Sequence, residues 1–207
     1  MTANAHSRGT GGTGAEGSTE ATRPTPVTPV IPVTPVTPVT GTLRHTVVDS
    51  PLGVLTLVAD GEALTGVYFE NHLRGPSPGA IGPRDPTGFD EAERQLREYF
   101  AGERRRFDLP LAPRGEPFQQ SVWRLLREIP YGETRSYGLL ARELGDPALA
   151  QAVGAANGRN PLSVIVPCHR VVGADGSLTG YAGGLERKRL LLELEGADSV
   201  TRTGRLF

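Results

Sequence analysis

Three residues in succession, Cys168-His169-Arg170, carry the most reactive side-chain chemistry of this 207-residue chain. Cys168 is the only cysteine, which excludes an internal disulfide and leaves a zinc site without its usual set of thiolates, so we expect neither a metal ion nor a cofactor. A thiol becomes a nucleophile when it loses its proton, and a neighbouring imidazole is the usual base. Pro167 stiffens the backbone before the thiol. The run therefore predicts a reactive cysteine, although a cysteine at a strand end is more often a small buried hydrophobic residue.

The apolar run 164–166 predicts a short strand that leads directly to the thiol, and Val171-Val172 continues the apolar pattern beyond it. Adjacent side chains on a strand point to opposite faces. Cys168 and His169 would therefore need a local bend or a bridging water to act together.

Helical patterns precede this segment over residues 118–127, 136–144 and 148–156. The last two helices are joined by a tight turn and resemble a helix-turn-helix, whose second helix would lie along DNA. Helical hairpins that bind nothing share this pattern. Small residues dominate the second helix, which favours either tight packing against another helix or entry into a narrow groove.

The first half of the chain predicts a small α+β unit. The β-rich runs are 46–48, 54–58 and 64–69. A Gly/Pro-rich loop follows at 74–88 and an amphipathic helix at 89–100. The fold class is thus α+β, with an N-terminal α/β domain over residues 43–112 and a mainly helical domain with a helix-turn-helix over 113–198. Residues 1–42 predict a disordered Thr/Pro-rich tail, because proline at every third position forbids a helix, and residues 199–207 a short C-terminal tail.

Composition sets broader bounds. The net charge is −1, so any basic surface for nucleic acid has to come from the placement of arginines. No apolar run approaches the roughly 18 residues of a membrane span, and the N-terminus lacks the pattern of a signal peptide. A solitary thiol suits a reducing compartment, which predicts a cytoplasmic protein.

Several separated blocks of this chain, in order, resemble the O6-alkylguanine-DNA alkyltransferases (methylated-DNA–protein-cysteine methyltransferases). The similarity extends from about residue 118 to 196 and includes Ile129-Pro130-Tyr131-Gly132-Glu133, Ser136-Tyr137, Ala152-Val153-Gly154, the run 160–172, Gly180-Tyr181-Ala182-Gly183-Gly184 and the run 191–196. Blocks in the right order are far more specific than one string. Residues 43–112 fit the family's N-terminal domain, and the resemblance implies a ribonuclease-H-like fold there.

The resemblance implies catalytic roles. Cys168 would accept the alkyl group, His169 would take its proton through a water, and Glu195 would orient and polarise that imidazole. Asn160 would brace the segment between the DNA-binding helix and the thiol, and Tyr137 would donate a hydrogen bond or proton to the departing purine. The resemblance also implies a base pocket formed by Val171, Tyr181, Ala182 and Gly183. Arg170 would be structural.

The resemblance places the DNA surface on the second helix of the helix-turn-helix. Its residues would be Ala150, Gln151, Ala152, Gly154 and Arg159, together with Tyr137. The family usually has an arginine at position 151, where the side chain fills the gap left by a flipped nucleotide. Glutamine can bond to the orphaned base but lacks the charge and planar stacking of guanidinium. Base flipping is therefore either less efficient here or assisted by Arg159.

The implied function is DNA repair by a monomer that binds double-stranded DNA containing O6-alkylguanine and flips the base out. The alkyl group then passes irreversibly to Cys168, once per molecule, in a methylated-DNA–[protein]-cysteine S-methyltransferase reaction. The range of alkyl groups, and whether O4-alkylthymine is also repaired, stay open. Three rival classes are a non-enzymatic lesion-binding protein, a Cys–His hydrolase and a transcriptional regulator. Cys168 argues against the first, because such proteins carry a different residue there. A hydrolase would need an oxyanion hole and a histidine that is usually remote in sequence, and a regulator would need a sensor domain or a cysteine-rich metal-binding module.

Overall fold

The computed structural model describes residues 42–77 and 79–197. Their N-terminal part is an antiparallel sheet followed by a helix. The strands are β1 (Leu43–Val48), β2 (Leu55–Asp60) and β3 (Ala63–Phe69), in the order β1-β2-β3, and helix α1 spans Asp90–Phe100. The predicted strands and helix are confirmed, with ends shifted by up to three residues.

The turn between β2 and β3 shows why these residues form a hairpin. Asp60 pairs with Ala63, so only two residues make the connection. Gly61 adopts a φ of 59°, in the left-handed region that such tight turns need and that glycine reaches without strain.

The C-terminal part is mainly helical, as predicted. Its elements are α2 (Pro117–Arg127), β4 (Arg135–Ser136), α3 (Tyr137–Glu143), α4 (Ala150–Asn157), β5 (Val171–Val172) and α5 (Leu185–Leu194), with 3₁₀ turns at Pro147–Leu149 and Cys168–Arg170. The Ser136 hydroxyl accepts a hydrogen bond from the Leu139 backbone N–H at 3.2 Å and so caps α3. Gly145 follows the helix with a φ of 96°, which only glycine adopts readily.

Two local predictions are wrong in detail. Residues 164–166 form turns instead of a strand, because the Ile165 and Val166 N–H groups donate to the nearby carbonyls of Ser163 and Leu162, at 2.9 Å each. The helix predicted over 148–156 begins as the 3₁₀ turn Pro147–Leu149 and becomes α-helical only at Ala150.

One hydrophobic core joins the sheet, α1 and the helical part. It runs from Leu57 of β2 through Leu96 of α1 and Leu126 of α2 to Val166 and Leu191, all of which are buried. The short parallel ladder of β4 with β5 pairs Ser136 with Val172 and thereby brings the start of α3 next to the Cys168–Arg170 turn. The fold thus holds α3 and the thiol segment together.

The predictions for the tails concern residues that, apart from Thr42, lie outside the described ranges. Within those ranges, no helix is both long and apolar enough to cross a membrane.

Candidate active site

Asn160 organises the segment that carries the thiol. Its side-chain amide donates to the Val166 carbonyl at 2.8 Å and approaches the Cys168 Sγ at 3.1 Å, while its oxygen accepts from the Leu162 N–H at 3.0 Å. The Asn160 side chain therefore makes hydrogen bonds to backbone groups that a neighbouring strand would otherwise satisfy. Val164 has a φ of 72°, which is unusual for a β-branched residue and shows how tightly this segment is folded.

Cys168 begins a 3₁₀ turn that ends at Arg170, so the backbone is bent between Cys168 and His169, the first of the two predicted alternatives. The cysteine is only 4% exposed. Asn157, at the end of α4, donates to the Cys168 carbonyl at 3.3 Å and so ties α4 directly to the thiol segment. Burial raises the pKa of the Cys168 thiol, although the Asn160 hydrogen bond and the charge of Lys188 oppose the rise. The resting residue is therefore a protonated thiol.

His169 and Glu195 form the predicted pair. The Glu195 Oε1 lies 2.9 Å from the His169 Nε2, and both side chains are fully buried. His169 Nδ1 has no hydrogen-bond partner among the described residues. Because the carboxylate accepts the Nε2 proton, Nδ1 is the basic nitrogen of the neutral ring.

Two further side chains fix the carboxylate of Glu195. The Arg170 guanidinium donates to both carboxylate oxygens at 2.8 Å and to the Ile129 carbonyl at 2.6 Å. The Tyr99 hydroxyl, from α1, donates to Oε1 at 2.6 Å. Arg170 thus holds the carboxylate in place, in agreement with the structural role expected for it. No sequence signal pointed to Tyr99, which lies 96 residues from Glu195 in the chain.

Electrostatics keep the histidine neutral and the glutamate ionised. Burial lowers the pKa of His169, and the hydrogen bond to Glu195 only partly offsets this. Burial alone would raise the pKa of Glu195, but His169 and Arg170 together hold it well below its ordinary value. The pair is accordingly a neutral imidazole bonded to a carboxylate, which is the arrangement of a general base with its orienting group.

Lys188 is a second residue that the sequence did not single out. It lies on the inner side of α5, is fully buried, and donates from Nζ to the carbonyls of Val171 and Thr179 at 2.5 Å each. Burial lowers the pKa of Lys188 to about 8, opposed by the charge of Cys168. The Lys188 ammonium thus links α5 to β5, which follows the thiol segment, and to Thr179.

Tyr137, the first residue of α3, lies against α4 and the 179–180 segment. Its hydroxyl donates to the Thr179 carbonyl at 3.1 Å, and a Cβ atom on Gly154 of α4 would lie 3.6 Å from its ring. Burial, and less strongly the charge of Cys168, raises the pKa of Tyr137. The phenol therefore keeps its proton at neutral pH.

The residues predicted for the base pocket lie in the loop before α5 and in β5. Tyr181 and Val171 are buried and Ala182 is half-buried, with its carbonyl accepting from the Leu73 N–H at 3.0 Å. At Gly183 a Cβ atom would approach Tyr181 to 2.8 Å and Phe69 to 2.9 Å, so the close packing here requires glycine.

Of the predicted DNA residues, Ala150, Gln151, Ala152 and Gly154 belong to α4, whereas Arg159 follows its end and Tyr137 begins α3. Gln151, Ala152 and Arg159 are exposed, Ala150 and Gly154 are half-buried, and the opposite side of the helix is buried. Asn157 connects α4 to the Cys168 carbonyl, and the Tyr137 ring lies against Gly154.

Two family models match the chain. The ribonuclease-like domain of 6-O-methylguanine DNA methyltransferase matches residues 43–113, and the DNA binding domain of 6-O-methylguanine DNA methyltransferase matches residues 117–197. Together they span most of the described chain.

Relatives and solved structures agree with these models. The chain is 53% identical over 153 residues to a methylated-DNA–protein-cysteine methyltransferase of Mycobacterium tuberculosis, covering 74% of this chain and 92% of the relative. It is 50% identical to the one of Methanosarcina acetivorans, covering 74% and 98%. The crystal structure of Mycobacterium tuberculosis OGT in complex with DNA superposes with a TM-score of 0.71 at 52% identity, covering 76% of this chain and 96% of that one.

Proposed function

The chain belongs to the 6-O-methylguanine DNA methyltransferase family, and from this membership we propose that it repairs DNA by transferring the alkyl group of O6-alkylguanine to Cys168. One observation at the site carries the proposal: a buried thiol is followed directly by a neutral histidine, whose imidazole bonds to a buried, ionised glutamate. Residues 43–112 act as a scaffold domain that supplies Tyr99, and residues 113–198 bind DNA and perform the chemistry.

The reaction is a displacement at an sp³ carbon. His169 Nδ1 takes the thiol proton through a bridging water, and the imidazolium that forms is stabilised by Glu195. The Cys168 thiolate forms a C–S bond to the alkyl carbon while the bond from that carbon to O6 breaks. The electron pair moves into the purine, which receives a proton from Tyr137, and the proton held by His169 then returns through solvent to the Tyr137 phenolate. The balance is thiol plus O6-alkylguanine giving thioether plus guanine.

The thioether is stable, and none of the described side chains offers a way to remove it, so each molecule acts once. The target carbon lies inside a duplex and the nucleotide must be flipped into the pocket beside Tyr181. The exposed small residues of α4 suit entry into a minor groove, where Gln151 takes the place of the flipped base. The reaction needs a reduced thiol, which supports a cytoplasmic location.

A labelled duplex tests the proposal. Incubation with DNA that contains radiolabelled O6-methylguanine should transfer label to the protein, with at most one methyl per chain. Intact-mass measurement should show an addition of about 14 Da, one methylene, on a peptide that contains Cys168. The variant Cys168→Ala should bind the duplex nearly as well, because phosphate contacts come from elsewhere, and should acquire no label. Label on the alanine variant would refute the mechanism, and binding without transfer by the unaltered protein would favour a non-enzymatic lesion-binding role.

A further inference from the structure

A cavity of about 470 Å³ opens between the segment that follows α1, the C-terminal turn of α2 and the active-site turn. Among the described residues that line it, none belongs to α3, to α4 or to the loop around Tyr181. The cavity is therefore separate from the proposed DNA surface. Its walls carry five arginines against a single glutamate, namely Arg105, Arg106, Arg124, Arg127, Arg170 and Glu128.

Most of this positive charge is not neutralised. In the part of the chain that the structure describes, the ion pairs include none made by Arg105, Arg106, Arg124 or Arg127. Only Arg170 has a carboxylate partner. Guanidinium groups brought together without counter-charges repel one another, and an anion among them would relieve that repulsion.

The helix dipole accounts for two of these four arginines. Arg124 and Arg127 lie in the last turn of α2, where the helix dipole favours cations. Arg105 and Arg106 come from the irregular segment after α1 and are not part of that helix. Charges from two independent elements thus converge on one cavity, which points to a ligand rather than to helix stabilisation.

An aromatic ring completes the cavity. The guanidinium carbons of Arg105 and Arg170 lie 5.5 and 5.8 Å from the centroid of the Tyr131 ring, close enough for cation–π contact. Guanidinium forks match the geometry of phosphate oxygens, and a ring beside them offers a stacking surface for a nucleobase. We propose that this cavity binds phosphate groups, supplied either by a nucleic-acid strand outside the α4 surface or by a free nucleotide.

Paired variants of the full-length protein test the site. Inorganic tripolyphosphate is titrated by calorimetry, and a fluorescent single-stranded oligonucleotide of twelve thymidines is titrated by anisotropy. Arg105→Ala with Arg106→Ala, and separately Arg124→Ala with Arg127→Ala, should each weaken the binding of at least one probe by about tenfold or more, because charge-assisted hydrogen bonds are lost.

The matched control removes the same charge elsewhere. Arg94→Ala with Arg97→Ala takes two arginines from the exposed face of α1 and should change either affinity by no more than about twofold, as expected for screened surface charges. An equal loss in the control would show a general charge effect and overturn the proposal. It would equally be overturned if the unaltered protein bound neither probe.

The two probes distinguish the sources of phosphate. If a nucleic-acid strand is bound, the loss of two arginines should make the plot of log affinity against log salt concentration shallower by about 1.4. Each phosphate contact on a single strand contributes about 0.7 to that slope. If a free nucleotide is bound, only the tripolyphosphate affinity should fall. Reaction of Cys168 with the free base O6-benzylguanine should be unchanged in the paired variants, so failure of this proposal is separable from failure of the proposed alkyl transfer.

Discussion

Replacing Glu195 by glutamine removes the negative charge behind His169 with almost no change of shape. The pKa of His169 is already lowered by burial, and Glu195 is the group that raises it. Without the carboxylate the imidazole becomes a weaker base, so Cys168 should lose its proton only at higher pH. The pH profile of alkyl transfer should therefore move upward in Glu195→Gln.

The expected size follows from the geometry. Unit charges 2.9 Å apart, the distance from Oε1 to Nε2, interact by about 6 kcal/mol at an effective dielectric constant of about 20. Arg170 binds the same carboxylate and cancels much of this. A net shift of about one to two pH units remains, which is about a ten- to hundredfold slower transfer at fixed neutral pH. Arg170 also loses its partner inside the protein, at a cost of about 3–5 kcal/mol in the free energy of unfolding.

Stopped-flow alkylation by O6-benzylguanine over a range of pH measures the shift without any contribution from DNA binding. Tyr99→Phe is the matched control, because it removes a 2.6 Å hydrogen bond to the same Oε1 and leaves every charge in place. It should lower the free energy of unfolding by about 1.5–3 kcal/mol and move the profile by less than half a pH unit. A profile in Glu195→Gln that overlays the unaltered one would refute the relay, and equal shifts in both variants would assign the effect to lost stability.

Two other perturbations address the DNA surface and the N-terminal tail. Gln151→Arg should speed repair of O6-methylguanine in duplex DNA by about three- to thirtyfold, or about 0.7–2 kcal/mol, because arginine can stack in the gap left by the flipped base, while reaction with free O6-benzylguanine should change little. Equal effects on both substrates in rapid-quench assays would place residue 151 in the pocket instead. Deleting residues 1–40 should leave the transfer rate unchanged and the melting temperature within about 4 °C, because a Pro-rich polar segment buries little apolar area. A larger drop in calorimetry would mean that the tail packs on the folded chain.

The sequence was most informative where structure depends on near neighbours. Periodicity predicted the two strands of the β2–β3 hairpin and the helix from residue 136, since both patterns depend on residues that are close in the sequence. The run 164–166 was misassigned because a short apolar stretch looks the same in a strand and in a buried turn. What decides between them is Asn160, whose amide bonds to the Val166 carbonyl and replaces a sheet neighbour.

The sequence pointed to the residues at the centre of the candidate site but not to those at its edge. Cys168, His169 and Glu195 followed from the resemblance, and the structure brings the last two to hydrogen-bonding distance. Tyr99 and Lys188 could not be found in this way. In sequence, Tyr99 on an amphipathic helix resembles an ordinary core residue, and Lys188 in a charged helix resembles a surface residue. Only the tertiary packing of α1 and α5 brings Tyr99 to Glu195 and Lys188 to the Val171 carbonyl.

If each molecule acts once, as proposed, burial of the thiol makes the reaction selective. A thiolate exposed to solvent would react with any alkylating agent, and one such event would consume the molecule. Cys168 avoids this because burial keeps the thiol protonated and shields it from solvent. The negative charge that would stabilise a protonated His169 is on Glu195, where Arg170 neutralises it in the resting protein. In the proposed mechanism the thiol becomes nucleophilic only when His169 takes its proton, with the target carbon already in line. Selectivity therefore comes from the same low-dielectric packing that makes the resting cysteine unreactive.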